Sequence, residues 1–217
     1  MPLVQMCESV KQQKGTDPMP PLERPKRIKP IIGGVISGGL SKRMGQAKDR
    51  MLLADGRSML QHVLDTMLNV CKEVIVAGPE LPVHIREDER IHFIKDNFPG
   101  QGPLAGVEAI LSTGHASGYI IAACDQPMLK EELLKMLIPD DAEMPCFFDL
   151  AESGIMQPFP GYYPVNWLAD IRDSLRRNRR SLKALIADSD VLLKPIDPDL
   201  ALCLKSINTA EDIKSFK

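Results

Sequence analysis

Ile31-Ile32-Gly33-Gly34-Val35-Ile36-Ser37-Gly38-Gly39-Leu40-Ser41-Lys42-Arg43-Met44-Gly45-Gln46-Ala47-Lys48 is the stretch on which the architecture turns. Ile31 to Ile36 is an apolar run of strand length, and a glycine-bearing loop follows it directly. Glycines there let backbone N–H groups approach a phosphate, while Arg43 and Lys48 add positive charge. The loop is therefore a candidate triphosphate cradle, although a βα turn with a solvated basic face has the same local composition. It is not a P-loop, because no Gly-Lys-Ser/Thr stands at the required spacing. Nor is it G-x-G-x-x-G, because its glycines are adjacent or too far apart, which weakens kinase and dehydrogenase readings together.

Outward from this stretch, short apolar runs alternate with amphipathic segments, the signature of a mostly parallel sheet flanked by helices, an α/β fold. Met59, Leu60, Val63, Leu64, Met67 and Leu68 recur at helical spacing, with Ser58 placed to cap the first turn. Val74 to Ala77 and Ile91 to Ile94 read as strands, and Pro103 suits the first position of a helix carrying Leu104, Val107, Ile110 and Leu111. Tyr119 to Cys124 reads as a buried strand ending at Asp125, and Glu131 to Ile138 as a short helix stopped by Pro139. Further on, Pro145 to Leu150 reads as a strand. Trp167, Leu168, Ile171 and Leu175 share a helix face, and Leu182 to Ile186 forms a second helix. Val191 to Ile196 and Leu202 to Ile207 are expected late strands, and Thr209 is placed to cap a last helix, Ala210 to Phe216.

Residues 1–30, with Lys11 to Lys14 and prolines 18, 20, 21, 25 and 30, carry too few apolar side chains to offset the entropy of ordering. They are expected to be a flexible tail, and 31–217 a single domain, consistent with a chain of 217 residues. A formal net charge of -2 argues against general nucleic-acid binding and points to a small substrate. Five scattered cysteines without a C-x-x-C pair imply neither a disulfide framework nor a zinc site, which fits a reducing cytoplasm. No apolar run reaches the roughly 20 residues a membrane helix needs, so no membrane partner is expected.

The string G-G-x-S-x-R-M-G-x-x-K from Gly38 to Lys48 resembles the signature loop of nucleotidyltransferases that make nucleotide sugars and nucleotide-linked cofactors. Three more segments are similar, in order, to the molybdenum cofactor guanylyltransferase family: Gly102-Pro103-Leu104-Ala105-Gly106, Cys124-Asp125-Gln126-Pro127, and Asn208-Thr209-Ala210-Glu211-Asp212 against its N-T-P-E-D. The resemblance implies a three-layer α/β/α Rossmann-like nucleotidyltransferase fold. It implies transfer of GMP from GTP to the terminal phosphate of molybdopterin, with Mg2+ as cofactor. It also implies transient contacts with proteins that deliver molybdopterin or mature molybdoenzymes. Carried over residue by residue, Arg43, Lys48 and Asp125 are catalytic, and Ile36, Ser37, Gly38, Gly39, Lys48, Asp96 and Asp125 meet the nucleotide. Gln157, Pro158 and Arg179 face the acceptor, and Asp125 with Asn208 holds the metal.

By residue type alone these positions stay open. Asp125 suits a metal ligand at a strand's carboxyl end as well as a helix N-cap, and Asn208 suits a ligand as well as a turn. Asp96 could equally serve an ordinary turn before Asn97 and Pro99, and the basic turn from Arg177 to Arg180 a solvated helix end. The chain departs from the family's pattern at Ala47, where an aspartate usually precedes the lysine, and at Ala77-Gly78-Pro79, where many members place a nucleotide-recognising asparagine. A cytidylyltransferase for the same cofactor, a nucleotidyltransferase for another metabolite phosphate, and a non-catalytic nucleotide-binding protein are the competing readings. Gly102 to Gly106 and Cys124 lean towards GTP, and Arg43, Lys48 and Asp125 lean towards catalysis.

Overall fold

A strand that is apolar on both faces must lie inside a sheet covered by helices, and β1 (Ile32–Ile36) is buried along its whole length. In the computed structural model, which describes residues 31–38, 52–80, 85–150, 155–209 and 212, β1 is flanked in parallel by β2 (Glu73–Ala77) and β4 (Gly118–Ala123). β3 (Ile91–Ile94) lies parallel beyond β2. Two glycines inside β1 let helices approach from both sides. A Cβ on Gly33 would stand 2.6 Å from Met67 Cε, and one on Gly34 would stand 2.8 Å from Ile110 Cδ1. With β5 (Cys146–Leu150), β6 (Ile155–Pro164) and β7 (Leu192–Pro195), the described strands form one seven-stranded sheet in the order β3-β2-β1-β4-β6-β5-β7. Only β6 runs against its neighbours, so the sheet is mostly parallel as expected.

Helices α1 (Met59–Leu68) and α3 (Glu131–Met136) pack on one face, where Leu60, Leu64, Met67, Leu133 and Leu134 close over Val35, Val74 and Ile120. Helices α2 (Pro103–Ser112), α4 (Leu168–Arg176) and α5 (Leu182–Ala187) cover the other, where Leu104, Ile110, Ile171 and Ile186 meet Ile36, Ile75 and Ile121. Each such fully buried aliphatic side chain contributes about 1.5–3 kcal/mol by leaving water. The result is the three-layer α/β/α arrangement. Ser58 caps α1 as its position predicts, its hydroxyl accepting from the Gln61 N–H at 3.1 Å. Other boundaries agree with the sequence reading to within a few residues, the ordinary uncertainty of fraying ends.

Two segments differ from expectation. Leu202 to Ile207 is not a strand: Asp197 caps the short α6 (Pro198–Ala201), a 3-10 turn continues through Leu204, and Ile207 N–H bonds the Asp125 carbonyl at 2.8 Å. The apolar run crosses the end of the sheet as a strap: Cys203, Leu204 and Ile207 are buried, and the Leu204 carbonyl and Ile207 N–H are paired with Gln126 and Asp125 rather than with a neighbouring strand. β6 was not expected at all, since Pro158 and Pro160 argue against a central strand. It tolerates them because the β5 pairing jumps from Cys146↔Tyr162 to Phe148↔Gln157, so both prolines fall in the irregularity where that ladder asks for no N–H donor. The expected tail, and the last helix apart from Asp212, lie outside the described residues.

Connectivity positions the site. From β1 the chain winds outward through β2 to β3, then crosses through α2 to β4 on the far side of β1. The winding therefore reverses between β1 and β4, and open α/β sheets bind ligands in the crevice beyond the strand ends at such a reversal.

Candidate active site

The crevice is walled by backbone. After β1, the Ser37 N–H donates to the Ala77 carbonyl at 2.7 Å, the Gly78 N–H to Ile94 at 3.2 Å, and the Cys124 N–H to Ile36 at 3.1 Å. The ends of β1 to β4 are thereby tied into one rim. Gly78 makes the closest approach: a Cβ there would collide with the Ser37 carbonyl oxygen. Gly38 has φ +123°, in the range that favours glycine, and faces Pro79, whose Cδ would lie 2.8 Å from an added Cβ. The Ala77-Gly78-Pro79 departure thus has a steric role, shaping the turn that carries Ser37 and Gly38, rather than offering a polar side chain.

The segment from Gly102 to Gly106 forms the opposite wall. Gly102 takes φ +76°, Pro103 opens α2, and Gly106 faces Ile36, whose Cδ1 would be 2.8 Å from an added Cβ. Its glycines are required by a turn and by a close approach, so the α2 N-terminus stands directly over the end of β1. In the loop leading into it, Asp96 Oδ1 and Gln101 Oε1 are buried and have no hydrogen-bond partner among the described residues. Burial, followed by the nearby Glu108 charge, raises the Asp96 carboxyl above its usual range.

Asp125 follows β4 and is half-buried, one carboxylate oxygen accepting from Ser206 Oγ at 3.1 Å. The next residue, Gln126, is 2% exposed and acts as a clamp. Its amide donates to the Phe159 carbonyl at 2.8 Å and to the Leu204 carbonyl at 2.9 Å, and its oxygen accepts from the Ala123 N–H at 3.4 Å. Asp125, β6 and the strap are therefore held together. Asn208 lies just beyond Ile207, its amide donating to the Ser206 carbonyl at 3.3 Å. Thr209 and Asp212 cap one another's backbone: Thr209 N–H reaches Asp212 at 2.9 Å and Asp212 N–H reaches Thr209 Oγ1 at 3.1 Å. Asp212 is held below the usual carboxylate range, chiefly by the Asn208 N–H.

Gln157 and Pro158 enter the same end of the sheet, because β6 runs against β4 and the residues after Gly161 pair back toward the base of β4. The Pro158 carbonyl accepts from the phenol of Tyr163, which burial keeps protonated by raising its pKa well above the ordinary value. Arg179 lies elsewhere, exposed at a cleft of about 560 Å³ between α4 and α5 with Arg180, Asp170, Asp173 and Asp188. No described contact joins it to the Asp125 group. Gly39, Arg43 and Lys48 lie outside the described residues. The structure thus assembles Ile36, Ser37, Gly38, Asp125 and Asn208 around one crevice, with Asp96 on its α2 side and Gln157 and Pro158 on its β6 side.

Gln101, Glu108, Gln126 and Ser206 escaped the sequence reading. Gln126 occupies the variable position of C-D-x-P, and a polar residue between apolar ones was the sole signal available.

Among the described residues no group of three or more His, Cys, Asp or Glu side chains could hold a metal, and no helix is long and apolar enough to cross a membrane. A lone carboxylate with the Ser206 hydroxyl beside it does fit magnesium, which binds through one or two carboxylates, water and substrate phosphates.

A doubly wound α/β sheet with a backbone rim at its winding reversal is a frame of nucleotide-binding proteins. The MobA-like NTP transferase domain model matches residues 33–192, and the chain belongs to that family. It is 28% identical to the molybdenum cofactor guanylyltransferase of Desulfosudis oleivorans, covering 85% of this chain and 93% of that protein. It is 30% identical to the probable molybdenum cofactor guanylyltransferase of Halalkalibacterium halodurans, covering 85% and 96%. The fold is similar to molybdopterin-guanine dinucleotide biosynthesis protein A from Archaeoglobus fulgidus, with TM-score 0.68, 20% identity and coverage of 85% and 96%.

Proposed function

We propose that this nucleotidyltransferase moves GMP from GTP to the terminal phosphate of molybdopterin, with Mg2+ as its divalent ion and residues 31–217 as the catalytic unit. The observation that carries the reading is the convergence of Asp125, the Ser37–Gly38 turn and the α2 N-terminus at the winding reversal of the sheet. An acceptor phosphate oxygen attacks the α-phosphorus, the bond from that phosphorus to the oxygen bridging to the β-phosphate breaks, and pyrophosphate leaves with the electron pair. The acceptor is already ionised at neutral pH, so no general base is required. Catalysis then rests on positioning and charge neutralisation.

In this reading the Ser37 and Gly38 backbone and Gly39 line the nucleoside side, Arg43 and Lys48 neutralise the triphosphate, and Asp96 and Gln101 offer buried acceptors to nucleoside donors. Gln157 and Pro158 border the acceptor, with Arg179 as a more distant cationic contribution. Asp125 and Asn208 would hold the magnesium ion, which when bound supplies charge stabilisation at the phosphates. The names of the relatives support GTP and molybdopterin as the substrate pair.

The test is pyrophosphate release by the purified protein with Mg2+, molybdopterin and GTP, CTP, ATP or UTP in turn, alongside acceptor-free controls. Release with GTP and molybdopterin alone is expected. Release with CTP instead would reassign the nucleotide, and none with any nucleotide would overturn the reading.

A further inference from the structure

Glu108 is the feature that the catalytic reading leaves unused. It lies in α2 among Val107, Ile110 and Leu111 and is 1% exposed, yet carries a carboxylate. Burying a charge costs several kcal/mol unless it is paired, and an apolar residue here would pack at least as stably. The carboxylate is fully engaged. Arg172 of α4 donates to Oε1 at 2.7 Å, the Ser112 hydroxyl is shared between the Glu108 backbone carbonyl at 2.6 Å and the same Oε1 at 2.8 Å, and Asn97 Nδ2 donates to Oε2 at 2.9 Å. Arg172 also reaches Ser112 Oγ at 2.9 Å, closing the network.

Asn97 connects this network to the crevice, since it directly follows Asp96, whose buried Oδ1 has no partner among the described residues. The Asn97 bond ties their turn to the middle of α2, and α2 is itself braced on α4 through Arg172. Resting on the proposal that Asp96 meets the nucleotide, we infer that Glu108 is a positioning residue for the transfer reaction, holding the Asp96–Asn97 turn at a fixed height above the crevice through Asn97. The carboxylate does not touch substrate. It spares the turn the entropy of ordering on binding, so its loss appears in nucleotide affinity and KM rather than in kcat at saturation.

The test measures GTP affinity by calorimetry on the full chain with Mg2+, together with Tm, KM and kcat, for Asn97→Ala, Glu108→Gln, their double variant and Asp96→Ala. Asn97 is exposed, so Asn97→Ala leaves the Glu108–Arg172 pair and the fold intact. Because the lost bond is to a charged group and the turn must then order on binding, GTP affinity should fall about tenfold in Asn97→Ala. Its Tm should fall by a few degrees, because the bond is lost from the unliganded fold as well, while saturated kcat should be unchanged and the double variant should be no weaker than the weaker single one. Wild-type affinity in Asn97→Ala beside a weakened Asp96→Ala overturns the positioning role alone. Wild-type affinity in Asp96→Ala removes Asp96 from the nucleotide site and overturns this inference, whereas no nucleotide binding by the unmodified chain overturns the catalytic reading as well.

Discussion

Replacing Gln126 with methionine tests whether Asp125 is held by the clamp behind it. The side chain is 2% exposed, and its amide donates to the Phe159 and Leu204 carbonyls at 2.8 and 2.9 Å. Methionine has nearly the same length, so Gln126→Met removes both donors without opening a large cavity. Each carbonyl left unpaired costs about 1–3 kcal/mol, and the longer Ala123 contact at 3.4 Å adds little. Greater apolar burial returns part of this, leaving a net loss of about 3 kcal/mol. For a chain of this size each kcal/mol moves Tm by about 2–4 °C, so Gln126→Met should melt about 6–12 °C lower. Urea titration should show a lower midpoint at unchanged slope. Because β6 and the strap are no longer joined through residue 126, and the strap keeps only its Ile207 and Ser206 bonds to Asp125, turnover of the still-folded protein at low temperature should fall too. A loss below about 1 kcal/mol with wild-type turnover would refute the clamp.

Asp125→Asn should abolish pyrophosphate release while leaving Tm within a few degrees of wild type. Wild-type activity in that protein would remove Asp125 from the reaction. Gly78→Ala should destabilise the chain by about 1–3 kcal/mol, since the new methyl collides with the Ser37 carbonyl. It should also weaken nucleotide binding, and a neutral outcome in chemical unfolding would contradict the close approach. The raised Asp96 carboxyl predicts a proton linkage. Its ionised form costs stability above the folded pKa, and that cost is relieved as pH falls below the ordinary carboxylate value. Nucleotide donors favour the ionised form, so GTP binding should release a proton above the ordinary carboxylate range, and affinity should decline as pH falls through the raised value. Calorimetry in buffers of different ionisation enthalpy checks this; no proton release would refute it.

How far each feature could be read from the chain depended on the range of the interaction behind it. The helix over Met59 to Leu68 was legible because its apolar spacing and its Ser58 cap are local. The strand at Ile91 to Ile94 was equally plain. β6 was hidden because its prolines are permitted only by a pairing irregularity against β5. The 202–207 strap was misread because apolar residues packed against a sheet end look, one by one, like a strand.

The candidate site divided in the same way. Asp125, Ser37, Gly38 and the Gly102 to Gly106 segment stood out through their resemblance to a family's motifs, residue type alone leaving their roles open. Gln126, Ser206 and Glu108 did not, because Gln126 and Ser206 act through partners 33 to 81 positions away in the chain, and Glu108 through Asn97 at 11 and Arg172 at 64. The alternation of strands and helices, the glycine-bearing turn and the strand-end aspartate were written in local sequence, where steric and periodic rules act over a few residues. Which polar side chains hold that aspartate and the Asp96 turn in place was decided only by tertiary structure, because a hydrogen bond between distant segments exists only once the fold has brought donor and acceptor within about 3 Å of each other.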